Sequence, residues 1–122
     1  MATELDTILF DLDGTICPQC GGDYENLQPF PEAVETINRL YDEGHKIVIY
    51  TARFMGRNKG DVLATYREGY EFTRNQLVSW GVKFHELRMG KPRSDKIVDD
   101  RAFGFEPDWR KIYEFCKTKS SE

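Results

Sequence analysis

Short apolar, β-branched runs alternate along this chain with longer stretches of helical periodicity. Thr7-Ile8-Leu9-Phe10 and Lys46-Ile47-Val48-Ile49-Tyr50 are almost continuously apolar. Such runs suit strands buried on both faces, as in a parallel sheet, better than half-buried strands that alternate. Weaker strands are predicted over Lys83–Leu87 and Lys96–Val98. The spacing predicts a helix from Pro31 to Glu43, with Val34, Ile37, Leu40 and Tyr41 on one face and Gly44 as its stop. A second helix is predicted from Asp61 to Trp80 through Leu63, Tyr66, Tyr70, Thr73, Leu77 and Trp80, with Gly81 as its stop. Gly69 stands where that helix would break in two. A third runs from Pro107, a first-turn proline, to Lys117 and aligns Trp109, Ile112, Tyr113 and Cys116. Trp80 and Trp109 are read as core residues. The alternation of strand and helix argues an α/β fold, a three-layer Rossmann-like sandwich with a mainly parallel sheet. It fills one domain over residues 1–122, of which 117–122 read as a polar tail.

Composition narrows the class. The chain has 122 residues, 39% of them hydrophobic and 31% charged, with both signs interspersed. This fits a globular domain and excludes a disordered or collagen-like chain. The longest apolar runs fall far short of the ~20 residues that a bilayer span needs. The first residues, Met1-Ala-Thr-Glu-Leu-Asp, carry acids where an export signal would carry Lys or Arg. Three cysteines are too few for a disulfide framework. A cytoplasmic, reduced protein is expected. The net charge of −4 provides no general basic field and weighs against nucleic acid as a partner.

Asp11, Thr51 and the pair Asp99-Asp100 all stand at the C-terminal ends of predicted strands, the edge of an open parallel sheet where ligands bind. In an extended segment Asp11 and Asp13 point the same way, and Gly14 lets the chain turn after them. Two carboxylates so close repel each other unless a proton or a cation compensates. A hard divalent ion is the simplest compensation, and Asp99 and Asp100 offer it further oxygens. The loop after Thr51 carries Arg53, Arg57 and Lys59 and no acid, so it reads either as a grip on an anionic part of a substrate or as a solvated surface loop. Arg93 and Arg101 add positive charge. Cys17-Pro-Gln-Cys20 lacks the second ligand pair that a structural zinc needs, and reads as free thiols near the mouth of the site. Tyr24, Phe30, Phe54, Phe103 and Phe105 are candidates to line a substrate or subunit surface.

Asp11-Leu-Asp-Gly-Thr-Ile after an apolar strand resembles the first motif of the haloacid-dehalogenase superfamily. Ile47-Val-Ile-Tyr-Thr51-Ala-Arg resembles its second motif, Gly90-Lys91-Pro92 its third, and Ile97-Val-Asp99-Asp100-Arg101 its fourth. The resemblance spans residues 7 to 101, and four motifs in register are far more specific than any one of them. It implies that Asp11 is the nucleophile that takes the phosphoryl group and that Asp13 is the general acid and base. Thr51 would hydrogen-bond the phosphoryl group, and Lys91 would stabilise its charge. Mg²⁺ would be held by Asp11, by the backbone carbonyl of Asp13 and by Asp99, with Asp100 as a second ligand or a supporting residue. Val98 stands where many relatives carry Gly, which leaves the division of labour between Asp99 and Asp100 open. Lys96 competes with Lys91 for the phosphoryl group.

The 37 residues between Asp13 and Thr51 and the 39 between Thr51 and Lys91 leave no room for an inserted cap domain. A capless site must be closed by a large substrate or by a neighbouring subunit, so a homo-oligomer is one expectation. The wording Asp-Gly-Thr-Ile-Cys, Tyr-Thr-Ala-Arg and Gly-Lys-Pro resembles the short capless phosphatases of capsular and surface-polysaccharide biosynthesis. That likeness implies a phosphomonoesterase acting on a small phosphorylated sugar or polyol. Two other readings stand beside it: a phosphatase of nucleic-acid 3′ ends, and a non-catalytic phosphate-binding module on the same fold.

Overall fold

The computed structural model describes residues 5–118, and residues 119–122 of the expected polar tail lie outside them. The chain divides into two compact units, residues 1–92 and 93–122. The sequence reading has one domain throughout.

The first unit is built as strand–helix–strand–helix–strand. Strands β1 (Thr7–Phe10), β2 (Lys46–Tyr50) and β3 (Glu86–Arg88) alternate with helices α1 (Pro31–Asp42) and α2 (Val62–Ser79). The sheet is parallel in the order β1-β2-β3, with Ile8 opposite Ile47 and Ile49 opposite Leu87. β2 is central, and its Ile47, Val48 and Ile49 are all buried. That is why its sequence is apolar without alternation. β3 begins three residues later than its expected start at Lys83. The segment before it is fixed by side chains as well as backbone: the amide of His85 donates to the Ile47 carbonyl at 2.9 Å, and His85 Nδ1 accepts from the Ile47 amide at 3.0 Å.

α1 starts with Pro31 at its first position, where a missing amide hydrogen costs nothing. It ends before Gly44, whose positive φ of 104° allows the amides of Gly44 and His45 to return to the Tyr41 and Leu40 carbonyls. Asp61 caps α2 by accepting from the Ala64 amide at 3.1 Å. α2 is continuous through Gly69, so the expected break is absent. Its buried residues are Thr65, Gly69, Thr73 and Leu77. Leu63, expected on the inner face, is 61% exposed. Its stripe of small residues lets α2 approach the loop after β2 closely, Gly69 lying against the Phe54 ring, and that stripe carries little hydrophobic signal. The core joins Leu12, Ile16, Ile37, Ile47, Ile49, Phe54, Leu77, Val82, Leu87 and Met89, with Trp80 packed partly buried against it.

In the second unit, Lys96–Val98 is not a strand, and Ile97 and Val98 are largely exposed. A β-branched run of this length has no hold on an extended conformation without a neighbouring strand. α3 (Trp109–Lys117) is capped by Asp108, which accepts from the amides of Arg110 and Lys111, so Pro107 precedes the cap instead of lying in the first turn. Trp109 is 73% exposed, so it is not the core residue expected of it, and Cys116 is also exposed. No helix among the described residues is long and apolar enough to cross a membrane.

Candidate functional site

The site lies where β1 and β2 end. Asp11 follows β1 directly, and the chain then closes into a tight loop. The Ile16 amide donates to the Leu12 carbonyl at 2.8 Å and the Gly14 amide to the Cys17 carbonyl at 2.6 Å. Gly14 has a φ of 86°, and a Cβ there would lie 2.9 Å from Gln19 Nε2. Leu12, Ile16 and Cys17 are fully buried beneath the loop and anchor it. Asp11 and Asp13 are thereby presented on a fixed support.

The Asp11 carboxylate is held at both oxygens. Lys91 Nζ donates to Oδ1 at 3.1 Å, and Thr15 Oγ1 donates to Oδ2 at 3.1 Å. Lys91 reaches it because the amide of Lys91 donates to the Thr51 carbonyl at 3.2 Å, tying the end of the 88–91 segment to the end of β2. The turn at Gly90 has a φ of 90° and passes so near Val62 that a Cβ would lie 2.9 Å from its Cγ1. Lys96, the competing lysine, donates to the carbonyls of Cys116 and Thr118 within the second unit.

Thr51 is 1% exposed, and its Oγ1 accepts from the Arg53 amide at 3.0 Å. Asp13 is bound by Arg53. Nε donates to Oδ2 at 2.9 Å and to Oδ1 at 3.1 Å, and Nη2 donates to Oδ1 at 2.9 Å. The Cys17 thiol donates to the same Oδ1 at 3.3 Å. Burial first, then the nearby Asp13 charge and that hydrogen bond, push the Cys17 thiol up to about 12. Tyr24, whose ring lies 4.4 Å from the Arg53 guanidinium carbon, is raised for the same leading reason, burial.

The three loop cations fall in different surroundings. Arg53 is buried and faces Asp13. Arg57 Nη1 donates to Glu68 at 2.9 Å, and its guanidinium stacks 4.8 Å from the Phe54 ring centre. Glu68 is held below the usual carboxylate range by the Asn58 amide and then by Arg57. Lys59 sits at a turn with a φ of 53°. The structure thus brings together Asp11, Asp13, Thr51, Lys91 and Arg53. Asp99 and Asp100 belong to the second unit, where Asp99 Oδ1 accepts from the Arg101 amide at 2.9 Å. Two contributors were not singled out from sequence: Thr15, beside Asp11, and Gln76, whose Oε1 accepts from Arg53 Nη1 at 2.6 Å. Gln76 lies on a helix with mixed periodicity and gives no signal in sequence. Among the described residues, no three His, Cys, Asp or Glu side chains form a group that would hold a metal ion by themselves.

No protein-family model and no curated protein matches the chain. Among solved structures, the fold is similar to that of a structural-genomics target from Vibrio cholerae. The two agree with a TM-score of 0.76 and 26% sequence identity over 93% of this chain and 100% of that one. With the parallel sheet described above, this likeness makes the chain a small Rossmann-like α/β protein.

Proposed function

We propose that this protein is a capless, Mg²⁺-dependent phosphomonoesterase of the haloacid-dehalogenase type, a three-layer sandwich in its full architecture, acting on a small phosphorylated sugar or polyol. The observation that carries the reading is the ion pair between Lys91 and Asp11, 80 positions apart and 3.1 Å from one another at the ends of two segments. A carboxylate that attacks phosphorus needs a cation beside it to offset the charge of the incoming phosphoryl oxygens. Thr51, whose carbonyl accepts from the Lys91 amide at 3.2 Å, and the backbone of the 11–17 loop adjoin this pair, as phosphoryl ligands would.

In this reading Asp11 attacks phosphorus in line with the departing ester oxygen, and Asp13 gives that oxygen a proton. Water then attacks the aspartyl phosphate while Asp13 takes a proton from it, releasing phosphate and restoring Asp11. Lys91 stays with the phosphoryl charge through both steps. The oxygens on offer suit magnesium: Asp11 is a partly exposed carboxylate, and the Asp13 carbonyl accepts from the side-chain Nε2 of Gln19, at 3.2 Å. Mg²⁺ commonly takes one or two carboxylates and completes its octahedron with water and phosphate oxygens. When bound, the ion would neutralise phosphoryl charge. The resemblance gives Asp99 and Asp100 to the same ion.

The test is phosphate release from sugar, polyol and nucleotide phosphates with Mg²⁺ or EDTA. Wild type is expected to turn over one or more of the sugar or polyol esters only with Mg²⁺. Asp11→Asn should fall by at least about 1,000-fold without loss of fold, as loss of a nucleophile requires. Substantial activity in Asp11→Asn or in EDTA would refute the mechanism.

A further inference from the structure

Arg53 follows Thr51 by two residues, and a positive side chain so placed invites a substrate-binding role. Its surroundings argue otherwise. The side chain is 0% exposed and is fixed at every end. Its amide donates to Thr51 Oγ1, its Nη1 to Gln76 Oε1, and its guanidinium lies over Tyr24. Gln76 is itself held, because its Nε2 donates to the Tyr24 carbonyl at 2.6 Å. A guanidinium buried to this degree presents no surface to a ligand, and its charge is met by Asp13.

The two oxygens of Asp13 are unequally engaged. Oδ1 accepts from Arg53 Nε, Arg53 Nη2 and the Cys17 thiol, whereas Oδ2 accepts from Arg53 Nε alone. We infer that Arg53 is a positioning residue for Asp13: it anchors the carboxylate through Oδ1 and leaves Oδ2 as the oxygen that gives and takes the proton. The inference rests on the phosphatase reading. A proton on Oδ2 displaces one Arg53 contact and leaves the two to Oδ1 in place, so the carboxyl plane does not turn during the cycle. In the first step the Oδ2–H bond breaks and its proton goes to the ester oxygen, which leaves with the electron pair of the P–O bond. In the second step Oδ2 takes a proton from the attacking water as its oxygen bonds to phosphorus, and the aspartyl P–O bond breaks back to the Asp11 carboxylate. Holding the acid in one orientation is the kind of support on which proton-transfer geometry depends.

The experiment compares an alkyl phosphate, whose leaving oxygen needs a proton, with 2,4-dinitrophenyl phosphate, whose leaving group does not. The full chain is used as wild type, Arg53→Lys, Gln76→Leu, Asp13→Asn and Arg53→Lys/Asp13→Asn. Arg53→Lys is expected to lower kcat about 100-fold on the alkyl ester and less than about 5-fold on the dinitrophenyl ester, within the range that general acid catalysis supplies. Gln76→Leu, which removes the outer support of Arg53 together with the bond to the Tyr24 carbonyl and leaves Arg53 itself in place, should show the same ordering with a loss of about 5- to 10-fold. It carries the test if Arg53→Lys does not fold. The double variant should be no slower than Asp13→Asn alone, because Arg53 acts through Asp13. Equal losses on both esters, additive losses in the double variant, or a rise in KM with kcat unchanged would overturn the inference while leaving the phosphatase reading intact. A wild type inert on both esters would instead refute the phosphatase reading, and the inference with it.

Discussion

Cys17 is completely buried beneath the 11–17 loop, and its thiol titrates only near about 12 because burial, reinforced by Asp13, disfavours the thiolate. It therefore serves the site as a hydrogen-bond donor and is inert as a nucleophile. A thiol-alkylating reagent at about pH 8 should modify exposed Cys116 and half-buried Cys20 well before Cys17, which peptide mapping would show. The same shift links stability to pH. Below the ordinary thiol value of 9.0 both folded and unfolded chains keep the proton, so the contribution is fully present there. Above it the unfolded chain releases the proton and the folded one does not, so stability falls until the pH passes about 12. Urea unfolding at about pH 8 and about pH 10.5 should show wild type losing more stability than Cys17→Ala across that interval. Equal losses would mean that the thiol is not held protonated. At this scale Asp11, Asp13, Thr51 and Lys91 were legible because each stands in a motif beside a strand end or a turn. The burial of Arg53 was not, since a cation in a Gly-rich loop carries the same letters whether it faces water or Asp13.

Among the elements, α2 repays the closest reading. Gly69 lies in its buried stripe, and a Cβ there would sit 2.1 Å from Cδ2 of Phe54. That ring has little freedom to retreat, with Tyr24 at 5.1 Å and Phe72 at 6.3 Å between ring centres and Arg57 over it. Phe54 also holds a φ of 68°, unusual for a bulky residue, so the loop that carries Arg53 is locked against α2 by this contact. Gly69→Ala would gain about 1 kcal/mol of helix propensity. Overpacking costs typically about 1–3 kcal/mol and here falls on a ring with no room, so a net loss of about 1–2 kcal/mol is expected in chemical denaturation. Activity should drop as well, through displacement of Arg53. A stabilised Gly69→Ala would show that Phe54 moves aside freely. The strands β1 and β2 were legible because continuous apolar runs leave few alternatives. Burial on both faces, however, holds for central β2 and not for edge strand β1, where Leu9 is exposed. The inner face of α2 was not legible, because Thr65, Gly69 and Thr73 pack by being small rather than apolar. Lys96–Val98 shows the converse: three residues of strand-like composition form no strand where none pairs with them.

Over the whole chain, hydrophobic burial is unevenly shared. Every residue of the core cluster, from Leu12 to Met89, lies within residues 1–92, whereas α3 contributes no buried residue and Trp109, Tyr113 and Phe115 are exposed. No Gly- or Ser-rich linker announces this division. Arg93 follows Gly90-Lys91-Pro92, a sequence that reads as a functional turn, so the sequence gives no compositional boundary to find. Since the favourable burial resides in the first unit, a chain ended after Pro92 should retain cooperative unfolding, with a midpoint within roughly 5 °C of the full chain. A non-cooperative or unfolded product would show that residues 93–122 complete the core. Such a chain keeps Asp11, Asp13, Thr51, Arg53 and Lys91 but lacks Asp99 and Asp100, so it also separates folding from chemistry. Under the proposed function it should fold yet lose Mg²⁺-dependent phosphate release by about 100-fold or more, as loss of a required ligand set would produce. The full-length Asp99→Asn variant should then need more Mg²⁺ for half-maximal activity. If the shortened chain folds and retains full activity, the acidic pair has no part in the reaction, and Asp11 with the Asp13 carbonyl suffices to hold the ion.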